Sequence, residues 1–169
     1  LGIGAPEDWS VYKYTDEIQK ALPDNPLADK MAILIRDERN MDKFQKAVEN
    51  QNIENLERYF PTYYFVMVSK LNEKATKEVR QDAVEAALDR LDEQGVDYEI
   101  HNRSEVTNTR NGAKGTHLSY MYNRLISINT YLSYGNNLVT FVGVTTQDQE
   151  NVVNMLYTLS KAIEPRFLD

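Results

Sequence analysis

The segment Asn111–Pro165, NGAKGTHLSYMYNRLISINTYLSYGNNLVTFVGVTTQDQENVVNMLYTLSKAIEP, decides the fold. It reads as three consecutive antiparallel strands followed by one amphipathic helix laid back across them. Asn111-Gly112 has the chemistry of a two-residue hairpin turn, whose central positions both need positive φ. Lys114–Asn123 then alternates Leu118, Tyr120 and Tyr122 against His117, Ser119 and Met121, as a half-buried strand does. Leu125–Tyr134 follows, and Gly135-Asn136-Asn137 turns the chain. Leu138–Thr146 returns with Val139 and Phe141 on one face and Leu138, Val142 and Val144 on the other. Thr146 and Gln149 fit a capping box for a helix carrying Val152, Leu156, Leu159 and Ile163, with Pro165 as its stop.

Working outward, Val96–His101 begins a strand that Ser104–Thr109 continues after a bulge. Before it, Thr76–Gln94 is the best helix of the first half, with Val79, Ala83, Ala86, Ala87 and Leu91 in one stripe and Val84 and Leu88 beside it. The small alanines suit close approach to a sheet, and Gly95 supplies the left-handed cap. Thr62–Lys70 is rich in aromatic and β-branched residues and reads as a strand. Asp37–Phe60 carries helical spacing (Met41, Phe44, Val48, then Ile53, Leu56, Phe60) broken at Asn50-Gln51-Asn52, so two short helices are expected. Lys30–Arg36 is a strand buried on both faces. Pro23 and Pro26 force a loop before it. Thr15–Leu22 forms a short helix capped by Thr15, and Trp9–Tyr14 a first edge strand. The pattern predicts an α+β chain, an α/β/α sandwich with a mostly antiparallel central sheet and a C-terminal helix packed on it. Residues 1–8 are a flexible lead, and 9–169 are a single domain with a helical insertion near 37–60.

Composition narrows the chemistry. With 26 Asp and Glu against 19 Lys and Arg, the net charge is −7, which argues against a phosphate-backbone partner; no nucleic acid is expected. The absence of cysteine removes disulfides, thiolate catalysis and Cys-type metal sites. No apolar run reaches the ~20 residues that span a bilayer. The chain starts at Leu1, not Met, which reads either as the trace of a removed leader or as an artificial start; on the first reading, an extracytoplasmic protein with membrane attachment through a removed N-terminal lipid anchor is expected.

Asn111, Gly112, Ala113, Leu118, Tyr120, Asn137, Leu138, Thr140 and the helix end Leu156–Ile163 together resemble the PsbP/DcrB/Mog superfamily of α/β/α sandwiches, over Tyr63–Phe167. The Pro-rich loop and the helical segment 37–60 depart from the short hairpin entry of that superfamily. The resemblance implies a non-enzymatic scaffold that binds protein partners, since bacterial lipoproteins, thylakoid-lumen subunits and a nuclear-import factor share the pattern without shared catalytic residues.

Motifs for catalysis are missing: there is no Gly-x-Ser-x-Gly, P-loop or His-Glu-x-x-His. No cofactor is expected. One metal candidate stands out, Asp97, Glu99 and His101, which strand period two places on one face about 7 Å apart; the competing reading is a solvated strand face. Tyrosine is enriched at binding hot spots, so Trp9, Tyr120, Tyr122, Tyr131 and Tyr134 are the partner-binding candidates, against the alternative that their rings only fill the core. The leading reading is an extracytoplasmic accessory domain that binds another protein. Its rivals are a helix-grip binder, with a small ligand between the last helix and the meander, and a toxin-immunity or inhibitor protein.

Overall fold

A computed structural model describes residues 2–164. Seven strands form one antiparallel sheet: β1 (Ser10–Tyr12), β2 (Met31–Arg36), β3 (Tyr63–Lys70), β4 (Glu99–Thr107), β5 (Lys114–Tyr122), β6 (Leu125–Tyr134) and β7 (Asn137–Thr146), in the order β1-β2-β3-β7-β6-β5-β4. Two meanders therefore meet at the β3–β7 pair. Between β3 and β4 the chain crosses to the far edge through α4 (Lys77–Glu93). α1 (Thr15–Ala21) shares the α4 face, and α5 (Glu150–Ser160) packs on the other, which gives the expected three layers. The insertion forms two short helices, α2 (Met41–Glu49) and α3 (Ile53–Arg58). Their predicted apolar stripe is only partly used: Ala47 is buried, but Val48 and Ile53 are 52% and 64% exposed.

The core lies under α5, where Leu156 and Ile163 meet Tyr64, Val66, Ile128 and Phe141, all buried. A Cβ on Gly143 would lie 3.1 Å from the Leu156 side chain, so α5 rests directly on β7. That leaves no room there for the cavity of a helix-grip binder. Within the stretch read as a flexible lead, residues 1–8, Gly2 bridges Glu164, and the Tyr64 hydroxyl donates to the Gly4 carbonyl.

Several local expectations are corrected. Asn111-Gly112 is not a two-residue turn. Only Gly112 has positive φ (+74°), and the six-residue connection is closed by Asn108, whose Oδ1 accepts from the Arg110 and Asn111 amides at 2.8 and 3.2 Å. The two-residue turn with both φ positive is Asn123-Arg124, at +46° and +63°. Thr146 does not cap α5. It stays in β7 paired to Leu125, and Gln149 occupies the cap position without a side-chain bond. Thr15 lies inside α1; Glu17 instead reaches back to accept from the Lys13 amide at 3.1 Å. α5 ends at Ser160, and the predicted stop, Pro165, lies outside the described residues.

Candidate functional site

The α4 face carries two separate apolar clusters, one built on Ile18, Leu34 and Phe65 under α1, the other on Val84, Leu88 and Leu118 under α4. Between them, over the junction of the two meanders, lies a cleft of about 410 Å³. One wall is formed by the alanines of α4. The predicted stripe is rotated: Arg80, Val84 and Leu88 are the buried positions, while Ala83, Ala86 and Ala87 border the cleft. The rotation follows from Arg80, which is 5% exposed. Its guanidinium donates to Thr116 Oγ1 (3.1 Å), Ser133 Oγ (2.8 Å) and Glu105 Oε2 (2.9 Å). This polar clamp holds the first turn of α4 on β4–β6, and Phe65 and Met67 of β3 form the opposite wall.

The floor carries polar groups among apolar ones. Tyr120, Asn129, Tyr131 and Thr140 line it beside Leu138 and Val142, with Tyr131 directly opposite Thr140 and Asn129 opposite Val142. Tyr122 and Tyr63 extend the same face towards the sheet's end. Tyr120 packs on Tyr122 (centroids 5.6 Å apart) and on Tyr98 (6.0 Å), and Tyr63 stacks on Phe65 (6.4 Å, 10° between planes). Asn129 donates to Ser127 Oγ at 3.0 Å, but its Oδ1 accepts from no described residue. The hydroxyls of Tyr63, Tyr120, Tyr122 and Tyr131 likewise make no hydrogen bond with described residues, and none is sealed from solvent. Burial, helped by the Tyr120 hydroxyl, pushes Tyr63 and Tyr131 up to about 12, with Arg90 pulling Tyr131 slightly down. Tyr122 is raised by burial and by Tyr63 and Tyr120. These three phenols are neutral O–H groups at physiological pH. Unbonded polar groups under partial burial are costly unless water or a ligand satisfies them.

A second cavity, about 450 Å³, lies between α3 and the β5–β6 turn and is lined by Phe44, Ile53, Leu56, Phe60 and Leu125. Its charged groups, Glu57 and Arg124, already pair with each other at 2.5 Å, so it offers little to orient a ligand.

Of the residues singled out from sequence, Tyr120 and Tyr131 line the cleft and Tyr122 adjoins it. Trp9 and Tyr134 are on the opposite face. Trp9 packs 6.0 Å from the Tyr64 ring, and the Tyr134 hydroxyl accepts from Asn108 and donates to the Ile163 carbonyl at 3.1 Å. Of Asp97, Glu99 and His101, Asp97 precedes β4, Glu99 opens it opposite Met121, and His101 falls where the register shifts between Ile100 and Asn102. Among the described residues no three His, Cys, Asp or Glu side chains are placed to hold a metal ion. Sequence reasoning missed Asn129, Tyr63 and Thr140. The signal for Asn129 was present in Ser127, Asn129 and Tyr131, which carry polar groups at every second position of the strand.

The sequence matches no protein-family model and no curated protein. The structure is similar to the solution structure of a cyanobacterial PsbP protein, CyanoP, from Synechocystis sp. PCC 6803. The TM-score is 0.58 at 14% identity, covering 93% of this chain and 81% of that one. It also resembles PA94, a protein of unknown function from Pseudomonas aeruginosa, with a TM-score of 0.48 at 14% identity, over 63% of this chain and 74% of that one. The likeness to CyanoP shows that this chain has the PsbP-like fold. No helix among the described residues is long and apolar enough to cross a membrane.

Proposed function

We propose that this PsbP-fold chain is a non-enzymatic, extracytoplasmic accessory domain that binds another protein, and that the partner seats in the tyrosine cleft. The observation that carries this reading is the set of four phenol hydroxyls and the Asn129 Oδ1, gathered on one face without protein partners. Tyrosine offers a large apolar ring and a hydrogen-bonding tip with few rotatable bonds, which suits it to partner recognition. Burial moves Tyr63, Tyr122 and Tyr131 further from neutral pH, away from proton transfer and towards binding. A place outside the cytoplasm, with attachment through a lipidated N-terminus, belongs to the same reading and rests on the resemblance to extracytoplasmic lipoproteins.

Site-specific photo-cross-linking in intact cells tests it. A photoreactive phenylalanine at Tyr122 should trap a discrete protein adduct in the cell-envelope fraction. The same group at Asn154, exposed on α5, should not. Equal adducts from both positions, no adduct at all, or a chain confined to the cytosol would count against the proposal.

A further inference from the structure

The cleft's chemistry constrains what it accepts, on the reading that a partner protein binds there. We infer that the occupant is an extended segment of the partner's polypeptide, uncharged except for one carboxylate seated at the Arg90 end. The argument begins with charge. In a chain of net charge −7, the cleft is lined by no carboxylate and by one cation, Arg90. The Arg90 Nε is held by the Ala86 carbonyl at 3.1 Å, while its terminal nitrogens bond to no described residue. A cation entering the cleft would meet Arg90 and no counter-charge. A carboxylate at the rim meets a guanidinium able to donate two parallel hydrogen bonds.

Away from Arg90, the floor presents an amide oxygen and hydroxyls, which complement neutral amides. A formal charge placed there would lose hydration without a partner. The flanking walls, Ala83 and Ala87 on one side and Phe65 and Met67 on the other, fit small apolar side chains. The shape agrees. The lining runs across β3, β7, β6 and β5, three spacings of ~4.8 Å, or about 14 Å. An extended chain rises ~3.4 Å per residue, so about four residues span the cleft.

The experiment is an amide and methyl NMR titration of the whole chain with three probes: N-acetyl-Ala-Leu-Ala-Leu with a free C-terminal carboxylate, the same peptide as its C-terminal amide, and N-acetyl-Ala-Lys-Ala-Leu-amide. The free-acid peptide, binding with Kd on the order of 1 mM, should shift the Asn129 side-chain amide and the methyls of Ala83, Ala86 and Ala87. It should bind about two- to five-fold more tightly than the amide, the range for an exposed ion pair. Arg90→Gln should erase that difference, and the lysine peptide should not bind. Ala86→Leu, on an exposed wall position that leaves the core untouched, should block all binding. Three results overturn the inference: no shifts in the cleft, equal affinity for acid and amide, or binding of the lysine peptide. If cross-links form at Tyr122 while the free-acid peptide leaves the spectrum unchanged, the inferred segment is wrong and the partner-binding reading stands. If both experiments fail, both fall.

Discussion

His117 should make folding stability depend on pH in a window where few other groups titrate. Its ring is fully buried between β5 and α5. Nδ1 lies 3.2 Å from Thr130 Oγ1, Nε2 has no hydrogen-bond partner, and the ring meets Tyr157 edge-on at 4.7 Å. Burial first, and then the charges of Lys161 and His101, lower its pKa from 6.5 to about 4. Lys161 itself sits 3.8 Å from the Tyr157 ring. The neutral ring is therefore favoured in the folded chain, and protonation favours unfolding. The stabilisation is complete above pH 6.5 and drains away as pH falls towards 4, at about 1.4 kcal/mol per pH unit and about 3 kcal/mol in all. The carboxyls of Asp37, Glu38 and Glu105 are held below their ordinary values of 3.8, 4.5 and 4.5. Asp37 is held by hydrogen bonds from Arg39. Glu38 and Glu105 are opposed first by burial, which their hydrogen bonds outweigh. Their contributions are lost only below about pH 4.5, outside the histidine window. Urea unfolding of wild type and His117→Leu at pH 7.0, 6.0, 5.0 and 4.5 separates the two effects. Wild type should lose stability steadily across that series, while the variant stays flat. A flat wild type, or a variant with the same slope, would refute the reasoning.

Other perturbations have equally direct consequences. Arg80→Ala removes a buried guanidinium from three acceptors and should lower stability by about 2–4 kcal/mol in urea unfolding; Arg103→Ala, which breaks an exposed pair with Glu85, should cost under ~1 kcal/mol. Gly143→Ala places a Cβ 3.1 Å from Leu156 and Phe141 side-chain atoms, and calorimetry should show a loss of about 1–3 kcal/mol as α5 is pushed off β7. Tyr64→Phe deletes the bond to the Gly4 carbonyl and should cost about 1 kcal/mol, with faster amide exchange at Gly2. Tyr131→Phe deletes a hydroxyl that is bonded to no described residue, and its stability should stay within about 0.5 kcal/mol of wild type.

The layered architecture was legible because it rests on local periodicity. The alternation in β5 and β7 placed Leu118, Tyr120 and Tyr122 on one face and Val139 and Phe141 on the other, as found. Turn and cap chemistry was less reliable where long-range contacts compete. Asn111-Gly112 lost its two-residue turn because Asn108 makes more bonds, reaching both the turn amides and the Ile163 carbonyl at 2.8 Å. Thr146 lost its cap because pairing with Leu125 keeps it in the sheet. At His101 the register shifts between Ile100 and Asn102, an irregularity that period two alone does not show.

The sequence by itself determined the elements, their amphipathic faces and the antiparallel meander, since each follows from residue order within about ten positions. It also determined that tyrosines would crowd one face of β5. Only the tertiary structure decided that β3 pairs with β7, which joins the two meanders and opens the cleft above their junction. It decided too which tyrosines are free. Tyr134 is consumed by Asn108 and Ile163, 26 and 29 residues away, whereas Tyr120 and Tyr131 keep unbonded hydroxyls. Whether a side chain is spent inside the fold or left for a partner depends on contacts distant in the chain, which local spacing does not encode.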